Sequence, residues 1–238
     1  MAPSPGIRSR VPFATGCVNE EDATETLISR EAIASRVCEL GDEISRDYAG
    51  RVPVVIGILK GAAVFLADLV RALSIDVEVD FMAISSYGRG TVSSGTVRLL
   101  KDLDLDISGR DVLVVEDIVD SGLSLDYIRR NLETRHPRSL SIVALLDKRE
   151  RRQTGVDVGY IGFPVPDAFV VGYGLDFREL YRGLPDVAVL SPEEIEGPAG
   201  DGPGAGGAAP GGALLDGAAL GGAAFDGSGS GAVAGSGV

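Results

Sequence analysis

Three carboxylates and three small residues within nine positions carry the chemistry written into this chain. Glu116 and Asp117 stand together, Asp120 follows, and Ser121, Gly122, Leu123 and Ser124 complete the run. Carboxylates accept hydrogen bonds from sugar hydroxyls, hold a hard cation and exchange protons. Backbone amides in a small-residue turn that opens a helix converge on an anion. A ligand with hydroxyls and a phosphate, accompanied by a metal, suits that combination. A lone acidic pair would read as solvated carboxylates at a strand end, with a serine capping the next helix. The whole constellation argues against so plain a role.

The surrounding segments are the ones needed to hold such a loop. Val112 to Val115 is a continuous apolar run, the mark of a strand buried on both faces, and the acidic pair follows its carboxyl end. Leu125, Ile128 and Leu132 then recur at helical spacing. Val52 to Leu59 is a second apolar strand, running into Lys60-Gly61-Ala62 and a helix that carries Val64, Phe65, Leu69 and Val70. Before it, Arg30 to Tyr48 is an amphipathic helix with Ile33, Val37, Leu40 and Ile44 on one face and Ser29 as its cap. Val77 to Ile84 is a strand, Ser85 to Gly95 (SSYGRGTVSSG) a polar glycine-rich loop, and Val97 to Lys101 is extended. Ser139 to Asp147 is a further buried strand that ends at Lys148, with Arg149, Arg151 and Arg152 behind it. Ile161 to Gly174 reads as two short strands around a proline-rich corner, and Leu184 to Leu190 closes the domain. Alternating strands and helices, with polar residues at several strand ends, predict an α/β fold with a mainly parallel central sheet flanked by helices.

Totals narrow the functional class. The formal net charge of −13 opposes nucleic-acid binding as the chain's main business. Cys17 and Cys38 have neither metal-ligand spacing nor the density of a disulfide scaffold, which points to a reducing compartment. No stretch approaches transmembrane length, and no apolar segment precedes Cys17 as a secretory signal would require, so the expected location is the cytoplasm and no membrane partner is expected. The single histidine, His136, sits in a helix-to-strand turn, so any mechanism must work without imidazole. Residues 1–25 read as a flexible extension, 26–192 as the folded domain, and 197–238, mostly Gly and Ala, as a disordered tail.

Val112 to Ser124 resembles the phosphoribosyl-pyrophosphate signature of the type I phosphoribosyltransferases: apolar strand, two acids, two apolar residues, Asp, small hydroxyl, Gly, any residue, small hydroxyl. The resemblance spans roughly Arg30 to Leu190. It implies that family's fold, with a small hood and a mobile loop. It also implies roles for single residues. Glu116 and Asp117 would hold the ribose hydroxyls and Ser121 to Ser124 the 5′-phosphate. Lys60 and Gly61 match the family's Leu-Lys-Gly on the pyrophosphate, with a cis peptide expected between Leu59 and Lys60. Ser86 and Tyr87 match the mobile catalytic loop. Lys148 matches the donor to the exocyclic oxygen of a 6-oxopurine, and Phe169 and Val170 the stacking and edge-reading positions. Asp176 would lie by the pyrophosphate-side metal, and Arg182 would bind pyrophosphate. Asp120 would exchange the proton at purine N7.

Taken together, the Lys60, Lys148 and Phe169 motifs are similar to the bacterial-type hypoxanthine-guanine branch. That branch makes IMP or GMP and pyrophosphate from phosphoribosyl pyrophosphate and hypoxanthine or guanine. The implied cofactor is Mg²⁺, held by Glu116, Asp117 and Asp176, and the implied assembly is a homo-oligomer, dimer or tetramer. Ala62 stands where many relatives carry a second glycine, and Leu123 where polar residues are frequent. Two alternatives share the central motif: an enzyme of the fold acting on xanthine or a pyrimidine, and a nucleotide-sensing regulator that binds RNA. The acidic charge disfavours the second, which needs a basic face.

Overall fold

The computed structural model describes residues 25–86, 97–191 and 194–195. Elements alternate through most of the chain: β1 (Glu25–Ile28), α1 (Arg30–Asp47), β2 (Val54–Leu59), α2 (Ala63–Ala72), β3 (Glu78–Ser86), β4 (Val97–Lys101), β5 (Asp111–Val119), α3 (Leu123–Glu133) and β6 (Ser139–Asp147). A single turn at Arg149–Arg151 leads to β7 (Tyr160–Pro164), β8 (Val170–Val171) and β9 (Val187–Val189). Six strands form one sheet in the order β4-β3-β2-β5-β6-β7. All neighbours in it are parallel except the β3–β4 pair. The crossover order places β2, β5 and β6 side by side, so their carboxyl ends open on a common edge. In open α/β sheets that edge is where ligands bind.

Strand periodicity explains the two cores. Val55, Leu113 and Val115 face a cluster with Ile33, Val37, Leu40 and Ile44 of α1 and with Phe65 and Leu69 of α2. Their sequence neighbours Val54, Ile56, Val112 and Val114 face the other way, onto Leu125, Ile128 and Leu132 of α3. Each such side chain contributes about 1.5–3 kcal/mol when fully buried. With apolar partners on both sides, β2 and β5 are fixed in register, because a one-residue slip would exchange both faces at once. Ser29 caps α1 by accepting from the Ala32 amide at 3.3 Å, as the sequence predicts.

A smaller antiparallel sheet has the order β1-β9-β8. It buries Val171, Ala188 and Leu190 as a separate small core, with Phe169 and Phe177 packed against it.

Two elements differ from the sequence reading. β5 runs to Val119, so Glu116 and Asp117 lie within the strand, with Glu116 in register opposite Ala144 of β6, and do not follow its end. The two acids interrupt the apolar run without ending the strand, because Ile118 packs against one core and Val119 is buried in the other. Secondly, α3 begins at Leu123, two residues before the helical spacing that starts at Leu125; Gly122 holds its cap position, and Ser121 Oγ accepts from the Leu123 amide at 3.4 Å. Gly122 is left-handed, with φ +81, and a Cβ there would lie 2.4 Å from Thr154 Oγ1, so only glycine fits. Tyr87 and the remainder of the glycine-rich loop lie outside the described residues, as do residues 1–24 of the amino-terminal extension and the Gly/Ala tail; Glu25, read as the end of that extension, opens β1.

Candidate active site

Two groups of residues gather at and beyond the carboxyl ends of β2, β5 and β6. The first surrounds Glu116 and Asp117. Glu116 keeps some accessible surface, but its Oε2 is sealed from solvent and has no hydrogen-bond partner. Burial, then the Asp117 charge, pushes the Glu116 carboxyl well above the ordinary range. Burial raises Asp117 to about 6, against the opposing pull of the Ile118 amide, which donates to Oδ1 at 2.8 Å. These acids are under-compensated. Among the described residues neither carboxylate has a cation in direct contact, and the Arg182 charge only partly offsets the burial of Asp117, so the pair suits a partner from outside.

Gly61 explains how β2 approaches so closely. A Cβ at this position would fall 1.6 Å from Asp117 Oδ2, so any side chain would expel the carboxylate. The neighbouring Leu59–Lys60 peptide is cis, as the resemblance implies. Lys60 Nζ reaches Glu179 Oε1 at 2.7 Å. Arg182 lies on the same side: Nη2 contacts Asp176 Oδ1 at 2.8 Å and Glu179 Oε2 at 3.0 Å, and Nη1 donates to the Gly174 carbonyl at 2.8 Å. Asp176 is buried, with its Oδ2 accepting from the Glu179 amide at 2.9 Å. Both oxygens of Asp176 are thus already engaged by protein.

The second group surrounds Asp120. Its Oδ1 lies 3.2 Å from Arg151 Nε, a charge contact without hydrogen-bond alignment. Arg151 also pairs with Asp167 at 3.2 Å. Lys148 is only 3% exposed, and its Nζ stands 3.9 Å from Asp167 Oδ1. Burial lowers its pKa from the ordinary lysine value, while the charges of Asp120 and Asp167 oppose that shift. Its amide donates to the Val119 carbonyl at 2.9 Å, and Gln153 donates to Ser121 at the same distance. These two bonds tie the end of β6 to the loop at Ser121–Ser124. Phe169 is half-buried and meets Phe177 edge-to-face with centroids 5.4 Å apart; Val170 is buried in β8.

The structure therefore brings Lys60, Gly61, Asp117, Asp176 and Arg182 together on one side, and Asp120, Lys148 and Arg151 on the other. Ser86 ends β3, and nothing is described of its side chain. Two participants escape a reading of the sequence. Arg151 belongs to a basic run that looks solvated, yet it reaches the central aspartate. Glu179 carries no motif of its own, and only its left-handed backbone, φ +66, marks it out. Lys148, singled out by the resemblance, proves to be buried, which its place in a basic run does not announce.

Comparison with known proteins decides the lineage. The phosphoribosyl transferase domain family matches residues 24–178. The chain belongs to the phosphoribosyltransferase family. It is 49% identical over 177 residues to a hypoxanthine-guanine phosphoribosyltransferase of Bacillus subtilis, covering 74% of this chain and 98% of that one. It is 51% identical over 177 residues to the Mycobacterium avium protein of the same name, covering 72% and 87%. Among solved structures, a hypoxanthine phosphoribosyltransferase from Staphylococcus aureus superposes with a TM-score of 0.72 at 44% identity, covering 75% of this chain and 97% of that one. The family's type I fold, a mostly parallel sheet flanked by helices, is the one observed here.

Proposed function

We propose that this phosphoribosyltransferase is a purine salvage enzyme that transfers the phosphoribosyl group to hypoxanthine, guanine or both. The observation that carries the choice of base is the environment at two neighbouring strand ends. There a buried ammonium, Lys148, stands within electrostatic reach of the Asp120 carboxylate. A desolvated donor pairs with an exocyclic oxygen and opposes an amino group, which would leave two donors face to face. A 6-oxopurine fits this arrangement and adenine does not. The relatives bearing hypoxanthine and guanine in their names support the same choice, and they favour neither a xanthine or pyrimidine enzyme nor an RNA-binding regulator.

In this reading Glu116 and Asp117 accept the ribose hydroxyls, and the amides and hydroxyls of Ser121 to Ser124, with Leu123 contributing its amide, hold the 5′-phosphate. Asp120 takes or returns the proton at purine N7, with Arg151 holding it in place. Phe169 stacks on the base, and the Val170 backbone reads its edge. Lys60, Gly61 and Arg182 bind pyrophosphate. Ser86, at the end of β3, and Tyr87 would help to exclude water from the site during the reaction.

The donor set fits Mg²⁺. Glu116 Oε2 is an orphaned buried oxygen beside a second under-compensated acid, and magnesium takes one or two carboxylates with water and substrate oxygens completing its shell. Among the described residues no three acids, histidines or cysteines form a cage, so Glu116, Asp117 and Asp176 do not make one common site. Glu116 and Asp117 would hold Mg²⁺ on the ribose side and Asp176 beside the pyrophosphate. When bound, it neutralises the charge that develops on the leaving group. Action in the cytoplasm and assembly into a dimer or tetramer belong to the same reading.

The test is nucleotide formation from phosphoribosyl pyrophosphate with hypoxanthine, guanine, xanthine and adenine in parallel, with and without Mg²⁺. Metal-dependent IMP or GMP formation, absent with adenine, is the expected result. No turnover with any purine would refute the assignment.

A further inference from the structure

Glu179 lies between the two cations assigned to pyrophosphate. Its Oε1 is 2.7 Å from Lys60 Nζ, and its Oε2 is 3.0 Å from Arg182 Nη2. Among the described residues it is the one acid paired with Lys60. The backbone that presents it is unusual. Phe177 and Leu180 exchange amide hydrogen bonds at 3.2 and 3.0 Å, closing a tight turn whose central residues are Arg178 and Glu179. Both are left-handed, with φ +52 and +66. A turn that needs two left-handed residues in succession favours asparagine or glycine at these positions. Here a glutamate occupies the second of them, and its side chain goes directly to the anion-binding cations.

We propose that Glu179 is a built-in competitor for the pyrophosphate site: its carboxylate occupies the Lys60 and Arg182 donors in the free protein and yields them to the incoming diphosphate. This rests on the placement of pyrophosphate at Lys60 and Arg182. A positioning role is the other explanation for such contacts, and Arg182 argues against it. The Gly174 carbonyl and Asp176 Oδ1 already hold its guanidinium, each at 2.8 Å, so it keeps its place without Glu179. The contact is also made to be exchanged. The Lys60 side chain is 60% exposed and that of Glu179 37%, so water can replace either partner. The consequence is kinetic as well as thermodynamic. A carboxylate that re-enters the site as pyrophosphate departs weakens product retention and shortens the product's stay.

The experiment is calorimetric titration of the full-length protein with inorganic pyrophosphate and Mg²⁺, comparing wild type, Glu179→Gln, Glu179→Gly and Lys60→Ala. Gln keeps the length and removes the charge. Gly also removes the left-handed penalty, so loss of fold cannot mimic the effect. Both Glu179 variants are expected to bind pyrophosphate about 3–10-fold tighter, the size expected from losing two solvent-screened competing contacts. Pyrophosphate should then inhibit nucleotide synthesis at correspondingly lower concentration. Wild-type binding that Lys60→Ala weakens but the Glu179 variants leave unchanged or weaken would overturn the proposal alone. Wild type that binds no pyrophosphate, with Lys60→Ala indistinguishable from it, would overturn the placement of pyrophosphate and the proposal with it.

Discussion

The two ends of β5 hold acids in opposite circumstances. At its start, the Asp111 side chain is fully buried and fully served: Arg138 donates through Nε at 2.9 Å and through Nη2, Ser139 Oγ donates at 2.6 Å, and Arg51 Nη1 at 3.4 Å. Those donors, the Arg138 guanidinium foremost, hold its pKa down to about 2. Towards the other end of the same strand, Glu116 and Asp117 have burial without a cation in direct contact among the described residues, Arg182 only partly offsetting it at Asp117, and both are pushed upward. One strand thus has an amino end that secures the fold and a carboxyl end that stores an electrostatic deficit. The deficit marks the site, because a protein selected for stability alone would have paired those acids as it paired Asp111.

The sharpest way to break that comparison is to remove a group from each end. Asp120→Asn, on the functional side, should lower kcat by about 10²–10⁴-fold, the usual share of a proton-transferring group, with little change in thermal midpoint. Steady-state assay beside a melting curve checks both halves. Asp111→Asn should do the reverse. It leaves Arg138 and Arg51 without their carboxylate and should cost roughly 2–3 kcal/mol, below the 3–5 kcal/mol of a wholly buried pair because both arginines are partly exposed. Denaturant titration reads the loss, while activity per folded molecule should stand.

A milder change sharpens the contrast. Gly61→Ala places a methyl group where Asp117 Oδ2 now lies, so the carboxylate must move. The KM for phosphoribosyl pyrophosphate should rise about tenfold, which corresponds to about 1.4 kcal/mol of lost binding, with the fold intact. Smallest of all, Asp117→Asn should stabilise the free protein by on the order of 1 kcal/mol at pH 8 while weakening substrate binding. The sign follows from linkage. A carboxyl whose folded pKa is raised from 3.8 to about 6 costs nothing below pH 3.8 and loses stability as pH rises toward 6. The advantage of the variant should therefore fade on acidification and vanish near pH 4. Asp111, with its pKa depressed, behaves oppositely: its contribution is present above pH 3.8 and is lost as pH falls toward 2.

Much of this was legible in the sequence, for identifiable reasons. The runs at Val54–Leu59, Val112–Val115 and Ser139–Asp147 announce themselves because both faces of those strands are apolar. The residues from Glu116 to Ser124 stand out because acids, glycine and hydroxyls crowd one short stretch. What stayed hidden depends on long-range geometry. Nothing local says that Lys148 is buried, since its charged neighbours Asp120 and Asp167 come from separate parts of the chain. Arg151 looks like its solvated neighbours until the turn after β6 swings it onto Asp120. Glu179 is separated from Lys60 by more than a hundred residues, so only the folded chain joins them.

The central claim is that Glu116 and Asp117, without a cation in direct contact among the described residues, are placed to receive a ligand. It is tested most directly by thermal unfolding between pH 5 and 8, with and without phosphoribosyl pyrophosphate and Mg²⁺, in wild type and Asp117→Asn. The account predicts that the ligand's stabilising increment grows in wild type as pH rises through about 6, where ligand groups replace the missing partners of Asp117, and grows less in the variant. An increment with the same pH dependence in both proteins would contradict it.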